Sequence, residues 1–248
     1  MRYQLKNKMA NINDDSIKKD QDFLGQIPEW EKDYKESDKE YIDFEKEEWK
    51  DAPATFTEHD LKIFGQPVME DWEDDYMREL ANIASSHGGV VLELGYGMGI
   101  SARYIQKNKI EKHIIIEANH DVAEKAREFA KTATYPVEVM EGFWEEEILK
   151  IPDESIDGIL FDTYPLSEKE LYQNHFFFFP FAYQKLKTGG IFTYYSDEVE
   201  KFSDVHLKKL QEAGFKLENI NGKPFPVTPP ADCEYWKDST MLAPNIVK

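Results

Sequence analysis

The chain has 248 residues, which is enough for one large domain with a hydrophobic core. Its formal net charge of −19 makes the average surface repel phosphate, so nucleic acid is not expected as a substrate or partner. A single cysteine, Cys233, excludes an intramolecular disulfide and fits a reducing compartment. No apolar run is long enough for a membrane span and the N-terminus lacks a secretory pattern, so we expect a cytoplasmic protein with no membrane partner.

Residues 1–51 are predicted to form an acidic N-terminal arm ahead of a main domain at residues 52–248. Residues 1–27 are polar and lack periodicity, so we expect them to be loosely attached. Between residues 28 and 51, aromatic side chains recur among many acids and lysines. This pattern is typical of a solvated helix with an aromatic stripe against the domain; a lid over a bound ligand is the alternative.

The main domain is predicted to begin with a connection and a helix. Residues 52–66 contain Pro53 and Gly65 and are interpreted as the connection from the arm to the core. A helix is predicted over residues 70–86, because apolar side chains recur there at helical spacing. Acids in its first turns complement the helix dipole, and one of them would have a further role if it faced a pocket.

The rest of the chain alternates strands and helices, which predicts an α/β fold with a doubly wound, mostly parallel sheet. The predicted strands are residues 90–94, 113–117, 136–140, 158–161 and 191–195, with a last pair around 215–220 and 233–247. The predicted helices are residues 99–107, 121–131 and 203–213, and one opened by a Ser167/Glu170 capping box and closed at Gly189 and Gly190. Four consecutive phenylalanines at 176–179 in that helix are expected in the core.

A glycine-rich turn follows the first of these strands, where residues 90–99 read VVLELGYGMG. Glycines at 95, 97 and 99 let a backbone approach a ligand closely. Glu117 follows the next strand, placed to accept hydrogen bonds from ribose hydroxyls, and Gly142-Phe143-Trp144 follows the third with an aromatic face for a base. Since parallel strands bind ligands at their carboxyl ends, these features predict a nucleotide-like cofactor.

The glycine spacing distinguishes between cofactors. A dinucleotide oxidoreductase requires a further glycine at position 100, which is Ile100 here. The pattern GxGxG preceded by Glu93 is similar to motif I of the class I S-adenosylmethionine methyltransferases, which have a Rossmann-like fold. S-adenosylmethionine is therefore the predicted cofactor, and no metal site is predicted.

Three separated motifs resemble guanidinoacetate N-methyltransferases. They are DTYPLSE from Asp162, QPVMEDWEDDYM from Gln66 and VTPPADCEYW from Val227. The resemblance covers about residues 49–248 and leaves the preceding acidic arm outside. It implies transfer of a methyl group from S-adenosylmethionine to a guanidino nitrogen, with guanidinoacetate as the acceptor and creatine as the product.

The resemblance also implies site residues. Glu73 and Asp162 would be the catalytic pair that holds the substrate guanidinium, and backbone amides at Asp197 and Glu198 would bind its carboxylate. The implied cofactor residues are Trp49, Met69, Met77, Glu93, Gly95, Tyr96, Gly97, Met98, Gly99, Ile100, Ser101, Glu117, Trp144, Glu145 and Asp162.

Paired carboxylates suit this substrate on chemical grounds, because a planar guanidinium presents paired N–H donors that carboxylates bind in bidentate fashion. A guanidinium pKa of about 13 against a carboxyl pKa of about 4 makes full proton transfer before attack cost about 12 kcal/mol. We therefore expect Asp162 to polarise the guanidinium and to accept its proton as the new C–N bond forms.

The sequence leaves two alternative hypotheses about function. The acids Asp197 and Glu198 stand where the family has small neutral or apolar side chains, and acids beside an anion site are unfavourable. Arginine, free or in a protein, is therefore an alternative acceptor. A catalytically silent binding protein that docks a partner through its acidic arm is a third hypothesis, and the sequence leaves monomer and homodimer open.

Overall fold

The computed structural model describes residues 43–167, 170, 173–233 and 235–248. The predictions for residues 1–42 lie outside this part of the chain, so the division into arm and domain stays a prediction. None of the helices in the described ranges combines the length and the apolar character that crossing a membrane requires.

The described chain begins with helix α1 (Lys46–Asp51), followed by a small antiparallel sheet of β1 (Ala54–Phe56), β2 (Asp60–Ile63) and β3 (Gln66–Glu70). The prediction of a mere connection over 52–66 was wrong. Leu61 and Ile63 are buried and alternate with half-buried neighbours, as a strand requires. The turn after β2 has positive φ at Phe64 and Gly65, and Phe64 is not a usual residue for such a turn, so the hairpin signal is hidden.

Helix α2 (Asp74–Ser85) starts later than predicted. Strand β3 extends through Glu70, and Asp71–Glu73 form a single 3₁₀ turn between strand and helix. This tighter turn leaves Glu73 buried, whereas its neighbours Asp74 and Asp75 begin α2 as half-buried and exposed residues.

The remaining elements build one seven-stranded sheet in the order β6-β5-β4-β7-β8-β10-β9. In chain order they are β4 (Val90–Leu94), α3 (Ile100–Ile105), β5 (Lys112–Glu117), α4 (His120–Ala130), β6 (Val137–Glu141), α5 (Trp144–Glu147), β7 (Ile156–Phe161), α6 (Asn174–Lys185), β8 (Leu186–Tyr194), α7 (Asp204–Glu212), β9 (Ile220–Pro226) and β10 (Thr240–Val247). Strands β4 to β8 are parallel, and β10 is antiparallel to β8 and β9. The predicted doubly wound, mostly parallel α/β fold is confirmed.

Two local predictions about α6 were wrong. The helix begins at Asn174 after Gln173, so the Ser167/Glu170 pair does not open it; the Glu170 carboxylate instead accepts from the Leu166 N–H at 2.9 Å. The glycines at 189 and 190 lie inside β8, because Gly189 and Gly190 exchange backbone hydrogen bonds with Lys248 at the end of β10.

The final hairpin also differs from its prediction over 215–220 and 233–247, since its strands are β9 and β10. Strand β9 contains Pro224 and Pro226, which argue against a strand in the sequence. They are tolerated because β9 is the edge strand and, in the part of the chain that the structure describes, pairs with β10 alone.

The core between the sheet and α6 contains half of the phenylalanine run, because Phe176 and Phe177 are only half-buried. Phe178 and Phe179 are fully buried and pack against Phe161 of β7 and against Phe192 and Tyr194 of β8. Since side chains alternate along a strand, the residues that follow Phe161 and Tyr194 are directed to the opposite face of the sheet, where α2 lies.

Candidate functional site

The glycine turn lies directly against the end of β7. Gly95 has a φ of 86°, and a Cβ there would overlap the carbonyl oxygen of Asp162, so only glycine fits. Gly97 has a φ of 53°, and a Cβ there would lie 2.8 Å from the sulfur of Met69. The same sulfur lies 3.3 Å from the N–H of Met98. The structure thus brings Met69 and Asp162 to the turn, as the site prediction requires.

The interior of the turn is held by a buried carboxylate. Glu93, at the carboxyl end of β4, accepts a hydrogen bond from the Ser101 hydroxyl, and its other oxygen lies 3.0 Å from Nε2 of His113. Ser101 and Ile100 are themselves buried in the first turn of α3, which begins after Gly99 in the left-handed region. The shape of the turn is therefore fixed from inside by four predicted residues, Glu93, Gly99, Ile100 and Ser101.

Glu117 lies at the end of β5, beside the turn. Its Oε2 accepts from the Tyr96 N–H and its Oε1 from the Asn119 N–H, both at 2.8 Å. Burial raises the pKa of Glu117, although these backbone donors oppose the shift. The N–H groups of Gly97 and Ala118 also act on this carboxylate, so hydroxyl donors of a bound ribose would share it with the backbone of the turn.

Trp144 and Glu145 lie at the end of β6. The half-buried Trp144 ring packs edge-on against Phe161 and Phe178, with centroids 5.9 and 5.3 Å away. Glu145 Oε1 forms an ion pair with Lys46 Nζ at 2.6 Å. Its Oε2 is buried without a hydrogen-bond partner among the described residues. An orphaned acceptor beside an aromatic ring fits a bound heterocycle that carries an amino group.

Helix α1 covers this edge of the sheet. Trp49 is 4% exposed and stacks on Tyr164, with ring centroids 4.8 Å apart. The Asn119 side chain donates from Nδ2 to the carbonyls of Trp49 and Ala52, at 2.9 and 2.8 Å. Trp49, one of the implied cofactor residues, is thus fixed next to Glu117 by Asn119, which the sequence analysis did not single out. Asn119 is also the N-cap of α4, which is the one signal that its sequence position offers.

The predicted acceptor side of the site is centred on Glu73. Its carboxylate is 3% exposed and accepts hydrogen bonds from the Tyr235 hydroxyl and, at 3.2 Å, from the Glu70 N–H. Burial raises the pKa of Glu73 to about 8; the Tyr235 hydrogen bond opposes this shift and the Asp162 carboxylate adds to it. Met77 lies one helical turn further on and is fully buried on α2.

Asp162 follows β7 as a half-buried side chain, with its N–H donating to the Leu94 carbonyl at 2.9 Å. Burial raises the pKa of Asp162 to about 7, and the nearby carboxylates of Glu93 and Glu117 add to the shift. The structure therefore brings two poorly solvated carboxylates, Glu73 and Asp162, into one electrostatic environment. Such a pair favours a bound cation that offers N–H donors to both.

Glu198, one of the two predicted carboxylate-binding positions, is engaged within its own loop. Its Oε1 accepts from the Ser203 N–H at 2.8 Å and lies 3.2 Å from Nδ1 of His206. Burial alone would raise the pKa of Glu198, but these hydrogen bonds outweigh it and lower the pKa below the ordinary value. Its backbone N–H donates to the Ser196 hydroxyl at 3.1 Å, so this amide already has an acceptor.

Asp197 lies near the same histidine cluster, with its Oδ2 3.7 Å from Nδ1 of the buried His175. Burial and the neighbouring His206 hold the pKa of His175 well below its ordinary value, so this histidine is neutral. The acid at 198 therefore serves the packing of α7 against the sheet, and the negative charge of Asp197, like those of Glu73 and Asp162, acts on Tyr76 of α2.

The sequence analysis also missed two tyrosines on the acceptor side. Tyr235 contacts Glu73 across 162 positions of the chain, and Tyr195 follows β8 next to Asp162. Tyr235 stands inside one of the quoted motifs, which was its only signal.

One protein family and several curated proteins are similar to this chain. A family model described as guanidinoacetate N-methyltransferase matches residues 42–248. Protein arginine N-methyltransferase 2 of Kluyveromyces lactis is 34% identical over 136 residues, which are 52% of this chain and 32% of that protein. The protein of the same name from Yarrowia lipolytica is 30% identical over 166 residues, covering 61% of this chain and 34% of its own. The chain spans about a third of the length of these curated relatives.

Among solved structures, spermidine synthase from Thermotoga maritima superposes with a TM-score of 0.55 at 20% identity. The superposition covers 75% of this chain and 64% of the synthase. At this identity the likeness concerns the fold alone.

Proposed function

The chain belongs to the guanidinoacetate N-methyltransferase family, and we propose that it transfers a methyl group to a guanidino nitrogen, with guanidinoacetate as the acceptor and creatine as the product. The cofactor is S-adenosylmethionine, which supplies an electrophilic methyl group on a sulfonium. The single observation that carries the proposal is the pairing of Glu73 with Asp162 on the acceptor side.

This pair supports a guanidinium acceptor because both carboxyl groups resist ionisation in the free protein. Desolvation raises the pKa of Glu73 to about 8, with a contribution from the Asp162 carboxylate, and it raises the pKa of Asp162 to about 7, with contributions from Glu93 and Glu117. A planar cation with N–H groups on several edges supplies the missing positive charge and the missing donors together. An uncharged acceptor would leave the two carboxylates without a positive charge beside them.

The raised pKa of Asp162 also bears on the proton that must leave. A guanidinium pKa of about 13 against about 7 leaves a gap of about six units, or about 8 kcal/mol for full transfer in advance. Asp162 therefore holds and polarises the guanidinium, and accepts its proton as the C–N bond forms and the nitrogen becomes acidic. Glu73, held by Tyr235 and Glu70, keeps the acceptor in position.

The cofactor side fits the same chemistry. The Glu117 carboxylate lies beside the glycine turn, and the buried Oε2 of Glu145 lacks a donor among the described residues. These two groups would hold ribose hydroxyls and an adenine amino group. Trp49, buried against Tyr164, excludes water from this edge of the sheet.

Arginine, free or in a protein, is the second candidate acceptor. The curated relatives are named as protein arginine N-methyltransferases, and an arginine side chain presents the same guanidinium to Glu73 and Asp162. Unlike guanidinoacetate, it has no carboxylate close to the guanidinium that would be repelled by Asp197.

A substrate panel tests the proposal. The purified chain is incubated with S-adenosylmethionine and, separately, with guanidinoacetate, free arginine and an arginine-containing peptide, and methylated products are identified by mass spectrometry. We expect creatine as the fastest product, and Asp162→Asn serves as the matched inactive control. Faster methylation of arginine or of the peptide would reassign the acceptor, whereas no transfer to any guanidine would refute the enzyme and favour the silent binding protein.

A further inference from the structure

Tyr195 occupies a distinctive position at the end of β8. Its N–H donates to the Phe161 carbonyl at 3.0 Å, so it is placed beside the residue that precedes Asp162. Phe161 and Tyr194 face the core under α6, and alternation therefore directs Tyr195 and Asp162 to the α2 face. The Tyr195 ring lies edge-on to Tyr76 of α2, with centroids 5.5 Å apart at 87°.

The hydroxyl of Tyr195 is buried and has no hydrogen-bond partner among the described residues. The other tyrosines of this region are satisfied: Tyr76 donates to the Leu242 carbonyl at 2.8 Å and Tyr235 donates to Glu73. Burial, together with the negative charges of Glu73 and Asp162, raises the pKa of Tyr195 well above its ordinary value, so the phenol stays protonated.

The burial of the Tyr195 hydroxyl without a partner among the described residues requires an explanation. Burying such a group unsatisfied costs about 1–3 kcal/mol, and native proteins leave few of them without a partner. Here the orphan lies on the face of the sheet that also holds the two acceptor carboxylates, which points to a partner that arrives with the substrate.

We propose that the Tyr195 hydroxyl is a substrate-binding group that accepts an N–H of the acceptor guanidinium; this rests on the function proposed above. A substituted guanidinium has five N–H donors, and two bidentate carboxylates bind four of them at most. A neutral oxygen that accepts the fifth donor completes the set, and its own proton is then free to hydrogen-bond to a neighbouring carboxylate. Tyr195 thereby selects an acceptor with donors on every edge.

The test is Tyr195→Phe, assayed with whichever guanidine the wild-type chain methylates fastest. We expect the KM for this acceptor to rise about 10- to 100-fold, the range for one hydrogen bond to a charged group. The dissociation constant of S-adenosylhomocysteine should stay unchanged, and the thermal midpoint should be equal or higher, because an orphaned polar group has been removed.

Tyr194→Phe is the matched control, since it removes the adjacent hydroxyl on the opposite face of the sheet. That hydroxyl lies 2.5 Å from Nε2 of His206, so the control should lower the thermal midpoint without changing the acceptor KM. The proposal is overturned if Tyr195→Phe keeps the wild-type KM, or if it lowers stability and cofactor affinity together, as a structural residue would. A wild-type chain that binds no guanidine by calorimetry refutes the proposed function itself, which separates the two failures.

Discussion

Glu73 destabilises the free protein as the pH rises, because its carboxyl group is buried beside a second acid. Its pKa is about 8 in the folded protein against an ordinary value of 4.5. Between these values the folded state binds more protons than the unfolded state, so the free energy of unfolding falls with increasing pH. Each unit of such a shift corresponds to about 1.4 kcal/mol.

Replacement of Glu73 by glutamine should therefore stabilise the protein while impairing its function. We expect the thermal midpoint of Glu73→Gln to exceed that of the wild type at about pH 9 and to match it at about pH 4, below both pKa values. The acceptor KM should rise at least about 10-fold, since a charge-assisted contact is lost. Asp74→Asn, which changes the next and more exposed acid, is the control. If the midpoint of Glu73→Gln differed from that of the wild type by the same amount at both pH values, the result would contradict a buried charge at Glu73.

Asp162→Asn should separate chemistry from binding. The contact of Gly95 involves the Asp162 backbone carbonyl, so the glycine turn and the cofactor affinity should persist in the variant. The loss of a positioned proton acceptor is expected to lower kcat by about 10²- to 10⁴-fold, measured by product formation under saturating acceptor. Near-normal turnover in a folded variant would remove Asp162 from the proton step.

The residues of the site differ in how far the sequence predicts them. Glu117 and the glycines can be predicted from the sequence pattern alone, because they stand at the carboxyl ends of predicted strands. Glu73 is locally one acid among several, and only the resemblance marked it, because a 3₁₀ turn decides which acid is buried. Tyr195 and Asn119 escaped prediction since their significance depends on contacts between segments distant in the chain.

The strands also differ in how far the sequence predicts them. The central strands were predicted closely, because strands buried on both faces appear as short apolar runs between turn residues. The hairpin of β2 and β3 and the edge strand β9 were missed or misplaced: one has a phenylalanine in its turn, the other contains prolines. Their strand conformation depends on the partner that they pair with, and local sequence does not identify that partner.

Helix α1 provides a prediction at the scale of elements. Asn119 ties the end of α1 to β5 through two side-chain hydrogen bonds and caps α4 with a third. Asn119→Ala should lower the free energy of unfolding by about 2–3 kcal/mol, at about 1 kcal/mol for each bond. It should also weaken S-adenosylhomocysteine binding in calorimetry, because Trp49 and the Lys46–Glu145 ion pair would no longer be held at the cofactor edge.

Asn108→Ala is the matched control for this experiment. Asn108 donates to the Ser85 hydroxyl at 2.6 Å and to the Tyr104 carbonyl at 3.2 Å, where α2 meets the end of α3. It should lower stability and leave cofactor affinity unchanged. Equal affinities in both variants would mean that α1 contributes nothing to the cofactor site.

For the whole molecule, the net charge of −19 should favour cationic acceptors at a distance. The guanidinium ion carries one positive charge, whereas guanidinoacetate is a zwitterion with no net charge. Because the Debye length falls from about 30 Å at about 0.01 M to about 10 Å at about 0.1 M salt, the attraction of the cation should be screened over this range. The contacts proposed for the acceptor with the buried Glu73 and Asp162 would be screened much less.

Calorimetric titrations with guanidinium chloride and with guanidinoacetate, each in the presence of S-adenosylhomocysteine, measure this difference. We expect the affinity for the guanidinium ion to fall several-fold between about 0.01 M and about 0.1 M potassium chloride, and that for guanidinoacetate to change much less. Glu212→Gln, a single charge removed on the exposed face of α7, is the control and should alter neither slope appreciably. An identical salt dependence for both ligands would show that the overall charge does not act on the acceptor, and that recognition is confined to the buried carboxylates.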